Sequence, residues 1–218
     1  MKLTYLSILS TLFFSSLPLA AEPEGAKEPP LNFVLKIGER EYKMEEGKAV
    51  ELDAVKDKSK AKIVVGKSRT FPYAGIEFEY PSYFSYEAEV TDPDAKNWSL
   101  DGIDLLVMFF DAETDIGVNV FANLVATGMA KELGIPENNI ELKEHDLAVT
   151  LAGEKIAAKK LTTSLGNLHV AFNVIPLKAK KGRIKLLLIT DMQDAENTDT
   201  KELKEFMKLL QTSFKYKK

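Results

Sequence analysis

Residues 71–90 read FPYAGIEFEYPSYFSYEAEV, and apolar and polar side chains alternate through most of this stretch. Pro81 divides it into two runs, because proline cannot continue the interior of a paired strand. The alternating apolar positions are Ile76, Phe78, Tyr80, Phe84, Tyr86, Ala88 and Val90. A period of two places such residues on one face of a β-strand. The stretch therefore predicts two consecutive strands whose aromatic members lie in the core.

The segments that follow add more strands and a helix. Residues 103–110 are apolar on both faces apart from Asp104, which is typical of a central strand covered on both sides, so we expect helices over at least one face of the sheet. Apolar residues at spacings of three and four predict a helix over residues 118–133. Short connections such as Ala152-Gly153 then predict about four antiparallel strands.

The chain is expected to close with a second helix. Asp199 and Glu202 stand three residues apart, as in a capping box. An apolar stripe follows, formed by Leu203, Phe206, Met207, Leu210 and Phe214. The expected fold class is therefore α+β, with an antiparallel sheet covered by helices and a small N-terminal β extension.

Residues 1–21 predict a cleavable export signal. Lys2 precedes a mostly apolar stretch, residues 3–19, and Ala20-Ala21 supplies the small residues that a signal peptidase needs. The alternative is a retained membrane anchor, but the stretch is only marginally long enough to span a bilayer and has no basic flank behind it. We therefore expect cleavage near Ala21, no stable membrane anchor afterwards, and a periplasmic or secreted protein.

Three segments follow the signal. Residues 22–30 are rich in Pro, Gly, Glu and Lys, which predicts a linker. Residues 31–66 predict a β-hairpin extension with too few apolar residues to fold alone. Residues 67–218 form the predicted α+β domain.

The composition excludes several classes of function. The 218 residues carry a net charge of -4 with acidic and basic residues interspersed, so the chain lacks the positive field that attracts nucleic acid. It contains no cysteine, which excludes a thiol nucleophile, thiolate metal ligands and disulfides.

No catalytic, cofactor or metal site is predicted. The two histidines, His145 and His169, have no second histidine at ligand spacing. Residues 111–117, DAETDIG, resemble the opening of a calcium loop, but the sixth position, where such a loop needs glycine, is Ile116. Nucleophile-elbow and P-loop strings are absent from the sequence. We therefore expect residues 111–117 to form a polar loop. We also expect that the protein is not an enzyme.

Seven of the twenty aromatic residues fall in the stretch quoted above. Alternation explains most of them as core. Tyr73 and Tyr83 lie at the ends of predicted strands, and Trp98 lies in a polar segment, residues 94–101, that we expect to be a loop. A large ring in a loop either folds back onto the domain or binds a partner. Tyr73, Tyr83 and Trp98 are therefore the candidate partner-binding residues, with core packing as the alternative.

Three stretches are similar to the PsbP-like family, which includes the extrinsic protein of photosystem II and bacterial relatives. They are the strand at residues 71–81, the hairpin run after the first helix with Gly153 at its first turn, and the closing LQTSFK at residues 210–215. The resemblance covers roughly residues 68–216 and leaves out the β extension. It implies an α/β/α sandwich and a usually non-catalytic role in which the protein binds or stabilises a partner.

The favoured function is accordingly an exported, non-catalytic binding or scaffold protein that acts on a protein partner. Two alternatives stay open. One is a carrier or sensor of a small ligand held between sheet and helix. The other is a hydrolase whose site carries no recognisable motif.

Overall fold

The computed structural model describes residues 22–52, 60–114, 116–132, 134, 140–165, 168–193 and 198–217. The predicted signal peptide, residues 1–21, lies outside the described residues, as does Asp115 of the acidic loop.

Strands dominate the described part of the chain. The strands are β1 (Leu31–Ile37), β2 (Arg40–Glu45), β3 (Ala61–Phe71), β4 (Ile76–Pro81), β5 (Ser85–Glu89), β6 (Ala95–Asp101), β7 (Leu105–Glu113), β8 (Lys143–Leu151), β9 (Glu154–Leu165), β10 (Leu168–Leu177), β11 (Arg183–Gln193) and β12 (Lys215–Tyr216). The helices are α1 (Val118–Glu132) and α2 (Lys201–Ser213). One antiparallel sheet has the order β12-β4-β3-β1-β2, and the other has the order β5-β6-β7-β11-β10-β9-β8.

The expected helix-covered sheet, an α/β/α sandwich in the α+β class, is wrong. Strands make up 54% of the described residues and helices 16%, so the described part of the protein is mostly β. The alternation along residues 71–90 fixes a buried face but does not determine which sheet a strand joins. In the structure β3 and β4 belong to a second sheet, which covers part of the surface that the sequence assigned to helices.

The larger core lies between the two sheets and α2. The Phe71 ring of β3 contacts Trp98 of β6 and Phe109 of β7, with centroids 5.8 and 5.7 Å apart. Phe206 of α2 lies 6.4 Å from the Phe78 ring of β4. Both partners of each contact are buried, so these rings hold the three layers together.

A smaller core lies on the other face of the seven-stranded sheet, under α1. Leu186 and Leu188 of β11 belong to it, whereas the intervening Leu187 belongs to the larger core. Because consecutive residues of a strand point to opposite faces, the two cores lie on opposite sides of β11. Ala122 and Ala126 are the buried contacts of α1.

Local turn and cap chemistry explains several boundaries. The predicted Ala152-Gly153 turn is confirmed and joins β8 to β9, with both residues at positive φ. The predicted cap of α2 is wrong: Thr200, not Asp199, is the N-cap, and its hydroxyl accepts a hydrogen bond from the Leu203 amide at 3.1 Å. Asp199 instead bonds Lys160 at 2.6 Å.

Residues 22–30, which the sequence predicts as a linker, lie against the body of the protein; we call them the strap. They contain neither helix nor strand, but Gly25 and Pro29 are buried. The predicted β extension is an arm built from β1, β2 and residues 61–65 of β3. β3 continues past residue 66 to pair with β4, so the arm and the main body share a strand.

Candidate functional site

The three aromatic residues singled out from the sequence occupy two separate places. Tyr73 and Trp98 stack with an interplanar angle of 7° and centroids 6.4 Å apart. Tyr83 lies in the turn between β4 and β5, where it contacts Phe84 and the start of α2. The three residues therefore do not form one patch.

Trp98 is a core residue, as the alternative interpretation held, but its predicted position in a loop is wrong. It lies in β6, its side chain is 2% exposed, and it stacks on Phe109 with centroids 5.4 Å apart. The segment looks polar because Lys96, Asn97 and Ser99 surround the ring in sequence. In a strand, however, only the alternate positions face inward, and in β6 those are Trp98 and Leu100.

Tyr83 is 57% exposed and lies at the edge of an open groove of about 510 Å³ between the β3–β4 strand pair and α2. We call it the Tyr83 groove. Its lining residues are Lys67, Ser68, Pro81, Ser82, Tyr83, Glu205, Lys208, Leu209 and Thr212. The groove exists because α2 packs on β4, fixed in part by the bond from the Glu79 amide to the Ser213 hydroxyl at 2.9 Å.

Glu202 fixes the Tyr83 ring at the edge of this groove. The Tyr83 hydroxyl donates to Glu202 Oε1 at 2.8 Å. The same carboxylate accepts from the amides of Ile103, at 3.0 Å, and Asp104, at 2.7 Å. Partial burial and the hydrogen bond to the Glu202 carboxylate raise the pKa of Tyr83 to about 12, so its hydroxyl stays protonated and remains a donor at physiological pH.

Ile103 is the most exposed large apolar residue of the described chain, at 84%. Its loop is held by Glu202, and Gly102 allows the close approach, because a Cβ there would lie 2.7 Å from Glu202 Oε1. One buried carboxylate thus presents two exposed apolar side chains, Tyr83 and Ile103, from different parts of the chain. Exposed apolar groups on a fixed frame are a feature of protein-binding surfaces.

The groove walls carry more positive than negative charge. Lys67 and Lys208 are exposed lining residues. The acidic lining residue Glu205 is paired with Lys201 at 3.6 Å. An occupant with an apolar body and a carboxylate would complement this arrangement.

The arm displays a second apolar surface. Phe33 is opposite Met44 on one side and Val65 on the other, and Leu35 is likewise flanked by Tyr42 and Ile63. Residues directly opposite in antiparallel strands share a face, so these six side chains form the apolar face of the arm. None of them belongs to either core cluster of the described residues, and Ile63 and Val65 are 62% and 54% exposed.

Sequence reasoning missed this face, although the alternation in β1 pointed to it. A sequence shows that one face of a strand is apolar, but it does not show whether another layer covers that face. The outer side of α1 also displays apolar side chains, since Val120 and Leu124 are exposed.

Asp111 is the first residue of the acidic segment that was compared with a calcium loop, and its carboxylate forms ion pairs with basic side chains. Asp111 lies in β7 and is buried, and its carboxylate contacts Arg183 at 2.5 Å and Lys185 at 3.7 Å. Within the described ranges no three His, Asp or Glu residues are grouped as a metal site would require. Neither α1 nor α2 has the length and apolar character of a membrane span.

Comparisons with known proteins give structural similarity but no family. No family model matches the chain, and no curated protein matches it. The chain is similar to LpqN of Mycobacterium tuberculosis, whose crystal structure is described as that of a protein involved in cell envelope biogenesis. The identity is 15%, the alignment covers 66% of this chain and 83% of LpqN, and the TM-score is 0.39. At that TM-score the similarity carries no argument about this chain.

Proposed function

We propose that this chain is an exported, non-catalytic binding protein whose Tyr83 groove binds an apolar segment of a protein partner that carries carboxylate groups. The observation that carries the proposal is the combination of a fixed, half-exposed Tyr83 with two lysines on the groove walls. An aromatic ring held by a hydrogen bond presents contact area at little cost in side-chain entropy.

The two lysines of the Tyr83 groove favour an acidic segment as its occupant. Lys67 and Lys208 have no carboxylate partner among the described residues, whereas Glu205 has Lys201. A basic or neutral segment would leave these two ammonium groups uncompensated, while an acidic one would pair with them. The apolar part of the segment would contact Pro81, Tyr83 and Leu209.

The surrounding surface favours a protein over a small molecule. β3 carries the exposed Ile63 and Val65 of the arm and, two residues later, Lys67 of the groove. Ile103 adds a further exposed apolar side chain next to Tyr83 through their shared partner Glu202. A stable protein interface needs more area than a single groove provides, and these neighbouring residues extend the exposed apolar surface beyond the groove.

The second candidate is a small amphipathic carboxylate, such as a fatty acid. The groove volume of about 510 Å³ falls in the range of small-molecule sites. Such a ligand would use the groove but not the arm.

The proposal is tested by selecting binders to the full chain, without its leader, from a library of random linear peptides. The expected binders combine apolar residues with Asp or Glu. Their affinity, measured by fluorescence anisotropy, should fall about tenfold or more in the double variant Lys67→Glu/Lys208→Glu, because two attractive charge contacts become repulsive. Lys204→Glu is the matched control, since Lys204 is an exposed lysine of α2 that does not line the groove.

Binders without acidic residues, or binding that the double variant leaves unchanged, would contradict the proposal. A thermal melt with dodecanoate tests the second candidate, because a ligand that binds only the folded state raises the melting midpoint. A rise that is abolished by Lys67→Glu/Lys208→Glu, without any peptide binder, would favour the small-ligand function instead.

A further inference from the structure

The strap is held almost entirely through its backbone carbonyls. The Trp98 indole donates to the Gly25 carbonyl at 3.2 Å, and the Tyr86 hydroxyl donates to the same oxygen. The Tyr73 hydroxyl donates to the Lys27 carbonyl at 2.9 Å. We call Tyr73, Tyr86, Trp98 and Arg69, which binds the end of the strap, the cradle.

Arg69 binds the end of the strap at Glu28 and Pro29. Its guanidinium donates to the Pro29 carbonyl at 2.5 Å and contacts the Glu28 carboxylate at 3.2 Å. Arg69 is therefore the part of the cradle that distinguishes one side chain from another, since it pairs with an acidic residue.

Most side chains of the strap are exposed to solvent. Gly25 and Pro29 are buried and Ala26 is half-buried, whereas the four charged strap residues are exposed. Gly25 has a φ of +87°, and a Cβ there would lie 2.6 Å from Trp98 Nε1. Apart from the contact of Arg69 with the Glu28 carboxylate, the cradle thus selects glycine at one position and hydrogen-bonds to main chain, as in one common mode of peptide recognition.

The cradle also has hydrogen-bonding capacity that the strap leaves unused. Tyr80 is opposite Arg69 in the β3–β4 pair. Within the described residues, the buried Tyr80 hydroxyl and the Arg69 Nε atom have no hydrogen-bond partner. Buried polar groups are normally satisfied, so the site is equipped for more acceptors than the strap offers.

We infer that the cradle is a peptide-binding site that residues 22–30 occupy as a built-in ligand, and that it binds the same peptide from a second molecule once the strap is displaced. The ligand class is a peptide with glycine, an acidic residue three positions later and proline directly after it, as in Gly25, Glu28 and Pro29 of the strap. The inference is independent of the Tyr83 groove, because none of the cradle residues lines that groove.

The test displaces the strap in the full chain with Gly25→Ala and then adds a synthetic peptide of residues 22–30. Trp98 is the only tryptophan, so its fluorescence reports the cradle alone. Loss of the strap exposes the indole, and we expect a red shift of the emission maximum that the peptide reverses saturably. A peptide with alanine in place of Gly25 should have no effect, because its Cβ meets the indole.

Gly47→Ala is the matched control for backbone strain. Gly47 has a φ of +76° and no atom within 4 Å of its Cβ position, so its substitution leaves the strap in place. The Gly47→Ala protein should show no red shift and at most a much weaker response to the peptide.

Glu28→Lys is the second variant, in case Gly25→Ala disturbs folding. Glu28 is an exposed strap residue whose reversal repels Arg69, so the strap should loosen while the core is untouched. The full-length variant should again bind the synthetic peptide. No saturable response in either variant, or an equal response to the alanine peptide, would overturn the inference.

Discussion

The carboxylate of Glu202 accepts a hydrogen bond at 2.8 Å from the hydroxyl of Tyr83, which lies 119 positions earlier in the chain. The same carboxylate also binds the backbone of the loop at Ile103 and Asp104. The first turn of α2 thus sets the position of both exposed apolar residues, Tyr83 and Ile103, beside the proposed binding groove.

Glu202→Ala should lower the free energy of unfolding by about 2 kcal/mol or more, because it leaves two backbone amides and a hydroxyl without their acceptor. Urea denaturation measures this difference. Glu205→Ala, an exposed position of the same helix, should change it by no more than about 0.5 kcal/mol. Equal effects of the two substitutions would show that Glu202 does not hold the loop.

Trp98→Ala should lower the free energy of unfolding by about 3 kcal/mol or more, as expected for a fully buried aromatic ring. Chemical denaturation monitored by far-UV circular dichroism is the appropriate measurement, since the variant has no tryptophan. A loss below about 0.5 kcal/mol would place the ring at the surface, contrary to its packing between Phe71 and Phe109.

The contrast between Trp98 and Phe84 shows what the sequence could predict. Phe84 stands in a run of four alternating apolar residues, and it is buried as expected. Trp98 and Leu100 are only two such positions among polar neighbours, too few to distinguish a strand from a loop. Gly25 is a harder case still, because its burial depends on the shape of a distant cradle and not on its own hydrophobicity.

The candidate site was predicted only in part. The position of Tyr83 at a strand end was visible in the sequence, and the structure places it at the surface. Its partner Glu202 resembled a capping residue, and nothing local indicates that its side chain reaches residues 102–104 instead. Contacts between residues that are distant in sequence depend on how the sheets and α2 pack. This packing cannot be predicted from the residue pattern of a single sequence.

The stability of the protein should depend on the protonation of Asp191. Burial raises the pKa of this carboxyl, against the opposing hydrogen bonds from Thr200. Since the folded-state pKa lies above the unfolded one, the stability that Asp191 contributes is complete below the unfolded value of about 3.9 and is lost as the pH rises through the folded value.

Asp191→Asn removes this titration. Between about pH 4 and pH 7 the free energy of unfolding of the wild type should therefore fall relative to that of the variant. Thermal melts of both proteins across this range measure the difference. A difference that stays constant with pH would mean that Asp191 has the same pKa in the folded and unfolded chains.

Export should remove the predicted signal and leave the strap. Cleavage after Ala21 would make Glu22 the first residue, three positions before Gly25 enters the cradle. Intact-mass measurement of the exported protein should show the loss of residues 1–21. A mature form that still begins at Met1 would contradict the predicted compartment, and a form that lacks residues 22–30 would have an empty cradle.

The central claim is that Lys67 and Lys208 in the Tyr83 groove recognise carboxylates of a bound peptide, and a charge-swap titration tests it most directly. The best acidic peptide from the selection and a copy with its acidic residues changed to lysine are each titrated against the wild type and against Lys67→Glu/Lys208→Glu. We predict that the wild type prefers the acidic peptide by about tenfold and the double variant prefers the basic peptide by about tenfold, which together correspond to a coupling of about 2.8 kcal/mol. If both proteins prefer the same peptide, the lysines do not select the occupant and the proposed groove is not the binding site.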